Sequence, residues 1–267
     1  MHETITSSLI IATYNWPAAL EKCLQSVLRQ SNPPTEILIA DDGSGPETKA
    51  VIEKYQALST VPIVHVWHPD EGFQLAKIRN RSMALAKGAY LIQIDGDLIL
   101  DPHFVEDHLA IARPGFFTGG SRVLLDASLS NELLNGPTLY PALWDSRLKN
   151  KLNGMRFPWV RNLLAAIRKE TKTHNLRGCN MAFWKSDIVA VNGYNEAIVG
   201  WGREDTELVV RLRNYGVQRN FFKFGGIAYH IFHRENDRKH LLENDEVLAA
   251  TLAQKKTRCE KGIDQYL

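Results

Sequence analysis

Two acidic clusters carry the side chains best suited to chemistry, Asp41-Asp42-Gly43-Ser44 and Asp95-Gly96-Asp97. Each follows a short apolar run, EILIA at 36–40 and YLIQI at 90–94. Aspartate and glycine are ordinary turn formers, so either cluster alone reads equally well as a tight turn after a strand. Finding both at strand ends of one sheet shifts the reading toward a ligand. Carboxylate oxygens are hard donors that suit Mg²⁺ or Mn²⁺. A cation held by Asp97, helped by Asp95, could neutralise a nucleotide diphosphate and the charge that develops as it leaves. An imidazole added to such a site would tilt the choice toward Mn²⁺.

The elements that must position these clusters alternate. SLIIA at 8–12 reads as a strand, broken by Thr13-Tyr14-Asn15, and Leu20, Cys23, Leu24, Val27 and Leu28 then recur at helical spacing across 17–30. The strand at 36–40 precedes a helix at 46–58, a strand at 63–67, a helix at 76–86 and the strand at 90–94. That order predicts an α/β fold with a largely parallel sheet covered by helices on both faces. Ligands bind such sheets at the carboxyl ends of the strands, where Thr13-Tyr14-Asn15 and both acidic clusters fall. ATYNWP after the first strand has no GxGxxG and no Walker lysine, which argues against dinucleotide and P-loop binding.

Composition is that of an ordinary globular protein: 267 residues, 44% hydrophobic, 23% charged, net charge +2. Overall charge therefore gives no reason to expect a nucleic-acid partner. Cys23, Cys179 and Cys259 lack CxxC spacing and are odd in number, which predicts reduced thiols rather than a disulfide framework or a zinc site. The first residues do not resemble a secretory signal, and no apolar run approaches the ~20 residues of a membrane span. The expectation is a cytoplasmic protein, with peripheral contact on the inner membrane face left open.

SLIIATYN, EILIADDGS and GFQLAKIRNRSMALAKGAYLIQIDGD occur in that order, and GCNMAFWKSDIVAVNGYNEAIVGWGREDTELVVRLRNYG follows at 178–216. Together they resemble glycosyltransferase family 2. Residues 72–97 look especially like bacterial chondroitin polymerase catalytic domains, and 178–216 like those polymerases and the C-terminal half of β1,4-galactosyltransferases. The resemblance covers roughly 6–125 and 175–240. It implies a GT-A-like three-layer α/β/α domain over 1–267, with a nucleotide-sugar half to about 125, an acceptor half over about 126–240 and a C-terminal helix over 241–267. The activity it implies is inverting, metal-dependent transfer from a UDP-sugar to a glycan or lipid-linked glycan acceptor, in bacterial surface polysaccharide or lipopolysaccharide synthesis. A sugar nucleotidyltransferase and a non-catalytic carbohydrate-binding relative are the alternatives. The oligomeric state is not legible.

Site roles follow where motifs match. Ala12 and Tyr14 fall at base-contacting positions, and Asp42 at the acid that accepts from the uracil imide, a task Asp41 can share. Gln74, Lys77 and Arg79 match a polar group on the nucleotide side; for Gln74 and Lys77 the competing reading is a solvated helix face. Asp95 and Gly96 belong to the donor side, and Asp95 with Asp97 to the metal motif. In Gly200-Trp201-Gly202-Arg203-Glu204-Asp205, the resemblance makes Asp205 the catalytic base, and inversion needs one such carboxylate. Trp201, Gly202 and Glu204 become acceptor-side residues, an indole being able to stack on a sugar face. Glu204, Asp205 and Glu207 also suit a helix N-terminus on dipole grounds alone. Thr206 interrupts the acidic run of the galactosyltransferases, so sugar preference does not transfer. His230, in a short strand over 227–231, falls where related families supply an imidazole to the metal, and His233 is a second candidate. His65, His68, His103, His174 and His240 receive no role.

Between 124 and 177 the resemblance fades. Arg147, Lys149, Lys151, Arg156, Arg161, Arg168, Lys169 and Lys172 interleave with Leu148, Leu152, Trp159, Leu163 and Ile167. This reads either as an interfacial element near anionic lipid or as an acceptor-side insertion whose apolar face packs inward. The tail from 240 reads as a charged helix.

Overall fold

The computed structural model describes residues 5–170, 178–234 and 239–267, the side chains of 169 and 170 excepted; Lys172 and His174 lie outside the described residues. The chain opens with β1 (Ser7–Thr13), α1 (Pro17–Val27), β2 (Glu36–Asp41), α2 (Pro46–Leu58), β3 (Ile63–Trp67), α3 (Leu75–Leu85) and β4 (Tyr90–Asp95). β5 (Leu98–Leu100), α4 (Phe104–Ala110), β6 (Phe116–Gly119), β7 (Val123–Leu125), α5 (Ala127–Asn135) and β8 (Leu148–Lys149) follow. Then come α6 (Pro158–Ile167), β9 (Lys169–Glu170), β10 (Asn180–Trp184), α7 (Lys185–Ala190), α8 (Glu204–Tyr215), β11 (Gln218–Asn220), β12 (Ala228–His230) and α9 (Leu241–Ala253).

Eight strands form the main sheet in the order β3-β2-β1-β4-β10-β6-β11-β9. β1 is parallel to β2 and β4, and β2 to β3, as the alternating elements predict. β10 enters antiparallel between β4 and β6 and joins the two halves of the chain in one sheet. Alternation along each strand divides the core. Ile10, Leu38 and Leu91 face α3, α7 and α8 through Ile78, Met83, Ile188 and Leu208. Leu9, Ile37 and Ile92 face α1, α2 and α4 through Leu24, Ile52 and Phe104. Burying one such leucine contributes about 2 kcal/mol, and this two-sided burial is what makes the strands read as continuous apolar runs. The result is the expected three-layer α/β/α arrangement.

A second sheet, β5-β12-β7-β8, is built from strands too short to leave a periodic signal and was not anticipated beyond β12. Its register matters for the site, because β12 lies antiparallel to β5 with His230 opposite Leu98. Ile231 N donates to Asp97 O at 3.0 Å, which brings the end of β12 against the second acidic cluster.

Two expectations change. The inward-packing reading of the middle segment holds only in part: Leu148 is buried and Ala165 packs on Ile111 and Phe222, but α6 also buries Arg161 and exposes Trp159, Leu163 and Ile167. The reason is electrostatic. Asp107, fully buried on α4, pairs with Arg161 and so holds that side of α6 inward, and it also pairs with Arg156 ahead of the helix. The tail helix also stops earlier than its charge pattern suggests. Lys255 adopts a left-handed φ of 49°, and Lys256 N returns to Thr251 O at 3.1 Å, closing the helix in the manner usually given to glycine. The chain beyond turns back and buries Ile263 among α3 and α7 residues. All three cysteines are buried and free, as their spacing predicts. Among the described residues no helix is long and apolar enough to cross a membrane.

Candidate active site

The parallel register sets the acidic clusters side by side. Thr13 pairs with Asp41, and Ala12 pairs with both Ala40 and Asp95, so the ends of β1, β2 and β4 lie level. Loops after β1 and β2 are tied together: Asn15 N donates to Ser44 Oγ at 2.9 Å and Gly45 N to Asn15 Oδ1 at 2.9 Å. Asp42 N donates to Thr13 O at 3.0 Å, and Gly96 N to Ala12 O at 2.7 Å.

Within this frame the two aspartates of the first cluster differ. Asp41 is fully buried, accepting from Ser44 N at 2.8 Å and facing His65 Nε2 at 2.8 Å, so it shapes the loop from behind. Asp42 meets His68 Nε2 at 2.7 Å and accepts from Gln74 N at 2.9 Å; burial pushes its carboxyl above the usual carboxylate range, against His68 and the Gln74 amide. Tyr14 is half exposed and donates to Asp70 Oδ2 at 2.9 Å. The side chains of Gln74 and Lys77 turn instead to Glu71, at 3.2 and 3.1 Å, and line a cleft with Glu196, Val199 and Lys261 that includes none of the acidic clusters.

Arg79 is the hub of the second constellation. It lies fully buried on α3, donating from Nη2 to Asp95 Oδ1 at 3.0 Å and from Nη1 to Asp205 Oδ1 at 3.1 Å, with Glu204 Oε1 at 3.9 Å. One planar fork thus joins the first aspartate of Asp95-Gly96-Asp97 to the carboxylate at the start of α8. Tyr194 packs under the guanidinium, and its hydroxyl lies 2.9 Å from Gln93 Oε1 and 3.0 Å from Asp205 Oδ1. Both donors to Asp205 land on Oδ1. Both carboxylate oxygens lie over Gly178, where any β-carbon would overlap them.

Three carboxylates face this single guanidinium. Burial pushes Asp95 up to about 6 against the pull of Arg79, with the Asp97 and Asp205 charges adding to the rise. Burial and then Asp205 push Glu204 up to about 7, again opposed by Arg79. Between its ordinary value and about 7 the folded protein binds a Glu204 proton that the unfolded chain has released, so stability falls as pH rises through that window. Glu204→Gln should therefore stabilise the protein on the order of 1 kcal/mol at pH 8 and little at pH 4. Urea midpoints at the two pH values check this; an equal shift at both would remove the electrostatic cause.

Asp97 points elsewhere. Its Oδ2 lies 3.4 Å from His230 Nε2 and 3.2 Å from His233 Nε2, and its Oδ1 is buried with no hydrogen-bond partner among the described residues. One donor atom from each of the three residues falls within 4.8 Å of the others. An orphaned carboxylate oxygen beside two imidazoles fits a divalent cation, and the N,N,O donor set suits Mn²⁺ better than Mg²⁺. Asp95, bound by Arg79, stands outside this group.

Around Trp201 the backbone is strained into left-handed conformations at Gly200, Gly202 and Arg203, with φ of 74°, 103° and 79°. α9 holds the loop there. Asn244, almost fully buried, donates through Nδ2 to Val199 O and to Gly202 O, both at 3.0 Å, and Arg203 pairs with Asp245. Glu207 is structural: it pairs with Arg211 inside α8 and accepts from Thr251 Oγ1 at 3.0 Å. Arg122, Asn150, Asn153 and Cys179 line a separate cleft of about 150 Å³. Gln93, Tyr194, Asn244 and Arg122 carry no signal in the sequence; each sits in an ordinary run and gains its place only through distant contacts. Gly178, the first residue of the GCN run, is a further residue whose part in the site the sequence did not announce.

A GT-A glycosyltransferase is the class that this fold and site define. The family profile described as glycosyl transferase family 2 matches residues 8–188, and the chain belongs to that family. A second profile, described as the N-terminal domain of galactosyltransferase, matches residues 161–234. The chain is 28% identical over 246 residues to the hyaluronan synthase of Pasteurella multocida, covering 86% of this chain and 25% of that protein. It is 28% identical over 252 residues to the chondroitin synthase of Pasteurella multocida strain Pm70, again covering 86% and 25%. This chain therefore spans a quarter of the length of each synthase. The structure of S. aureus TarS 1-349 in complex with UDP superposes with a TM-score of 0.61 at 15% identity, covering 98% of this chain and 68% of that one.

Proposed function

We propose that the chain transfers a sugar from a UDP-sugar to an acceptor hydroxyl by a single inverting displacement that depends on a divalent cation, in the synthesis of a bacterial surface polysaccharide or lipopolysaccharide. The observation that carries this reading is the Arg79 fork, which ties Asp205 to Asp95 while Asp97, two residues on, gathers His230 and His233. A base and a cation-binding trio then lie on either side of Asp95, the arrangement that in-line attack on an anomeric carbon calls for.

On the donor side, Tyr14 offers an exposed ring to the base beside Ala12. A carboxylate oxygen has two lone pairs, so Asp42 Oδ2 can accept the imide proton while it holds the Gln74 amide. Asp41 supports Asp42 through the loop. Asp97, His230 and His233 would hold the cation, which when bound supplies Lewis-acid neutralisation of the diphosphate. Arg79, anchored by its carboxylates, keeps Asp205 at a fixed height above Asp95. Asp205 Oδ2 takes the acceptor proton, and Glu204 and Trp201 orient the acceptor. The hyaluronan and chondroitin synthase relatives favour a glycan acceptor, and the UDP held by the S. aureus TarS structure favours the uridine donor.

Incubation with a panel of UDP-sugars tests the reading. UDP release that stops with chelator and returns with Mn²⁺, and product of inverted anomeric configuration by proton NMR, is the expected result. Full turnover in chelator, retained configuration, or release of pyrophosphate in place of UDP would refute it.

Asn244 positions the acceptor loop in this scheme. Asn244→Ala removes two hydrogen bonds at once and should cost about 1–3 kcal/mol of stability. Acceptor KM is expected to rise about tenfold, while donor hydrolysis without acceptor stays within about twofold. A parallel fall in both activities would point to general loosening instead.

A further inference from the structure

α6 packs Ala165 inward on Ile111 and Phe222 but carries a second apolar face on its outside. Its exposed positions are Trp159, Asn162, Leu163, Ala166 and Ile167, spaced i, i+3, i+4, i+7 and i+8 along one continuous face. On that face Trp159 is 77% exposed, Leu163 54% and Ile167 66%, whereas the side turned to the protein carries Arg161, 3% exposed and paired with Asp107. Single apolar side chains on a surface are common, but a helix that buries its arginine and displays tryptophan, leucine and isoleucine in register presents a binding face. Phe157, Leu152 and Trp144 are also exposed just before it in the chain.

The charges of the same segment choose the partner. Arg147 pairs with Asp145 and Glu132, and Arg156 and Arg161 pair with Asp107. Lys149 and Arg168 are exposed and Lys151 half-exposed, and among the described residues none of these three has a carboxylate within ion-pair distance. Arg168 lies over the Phe221 ring, 4.6 Å from its centroid. An apolar stripe with an interfacial tryptophan, accompanied by exposed cations that have no ion-pair partner among the described residues, matches the boundary between acyl chains and anionic headgroups. A second copy of the chain fits worse, since a two-fold contact through this face would bring the same cations together.

We infer that the α6 face docks the protein on an anionic lipid bilayer, lying in the interface without crossing it. The inference stands apart from the transfer reading, because it uses none of the proposed catalytic groups. The two meet at Asn150 and Asn153, which line the Arg122–Cys179 cleft a few residues before α6, so docking would set that cleft close to the lipid surface.

Co-sedimentation of the full chain with vesicles tests this, comparing pure phosphatidylcholine with a mixture holding about a third phosphatidylglycerol. Binding to the anionic vesicles alone is expected, weakening as NaCl is raised from about 0.05 to about 0.5 M. Trp159→Ser combined with Leu163→Gln should lower partitioning about tenfold or more, and Lys149→Glu with Arg168→Glu should abolish the preference for anionic lipid. Both pairs lie on exposed positions, so circular dichroism and the thermal midpoint should match the parent. Leu58→Gln, an exposed apolar residue on α2, should bind as the parent does. Absence of binding to anionic vesicles at low salt, equal binding by parent and the Trp159/Leu163 variant, or binding indifferent to lipid charge would overturn the inference. So would a parent oligomer that the apolar substitutions convert to monomer.

Discussion

Asp205→Asn is expected to lower kcat for transfer by about 10³-fold while leaving UDP affinity within about twofold. The substitution keeps shape and keeps an oxygen for Arg79 and Tyr194, so the Arg79 fork should survive and Asp95 should stay in place. What disappears is the ability of Oδ2, the atom that Arg79 and Tyr194 do not engage, to take a proton. Steady-state kinetics with donor and acceptor, beside calorimetric titration of UDP, separate the two effects. Normal turnover would move the base elsewhere, and a matching loss of UDP affinity would make Asp205 a structural partner of Arg79.

The second large effect is at Asp97. Asp97→Ala removes the carboxylate common to both imidazoles and should weaken Mn²⁺-dependent UDP binding about a hundredfold or more. The fold should tolerate it, because among the described residues the Asp97 side chain pairs with the two histidines alone, and the β5–β12 register depends on backbone contacts. Without metal, parent and variant should therefore melt within a few degrees of each other. Adding Mn²⁺ and UDP should raise the parent midpoint and leave the variant unmoved, as expected when a ligand binds only the native state. A variant that still shifts would place the cation on other groups.

The elements that build the donor half were legible because their signals are local. β1, β2 and β4 are apolar runs ended by Thr13, Asp41 and Asp95, and the parallel sheet follows from their alternation with helices. The neighbourhood of Asp97, His230 and His233 was legible only through resemblance, since nothing near Asp97 announces a strand that will arrive from beyond α8. Arg79 shows the limit most clearly. On α3 it resembles any helix-surface arginine, and its burial depends on Asp95, Asp205 and Tyr194 from three other segments. α6 misleads for the same reason. Its apolar periodicity is real, but Arg161 turns inward to pair with the buried Asp107, and Trp159 and Leu163 on the opposite side are left outside. Short pairings such as β7–β8 leave no period to read, and Asn244 gains its place only when α9 folds back on the Trp201 loop.

The most direct measurement is an anomalous-difference map from crystals grown with UDP and Mn²⁺. A single manganese peak among Asp97, His230 and His233, bridging to the diphosphate with Asp205 across the anomeric position, is the predicted result. Manganese held at Asp41 and Asp42, or a diphosphate lying away from the Asp97 side of the cleft, would contradict it.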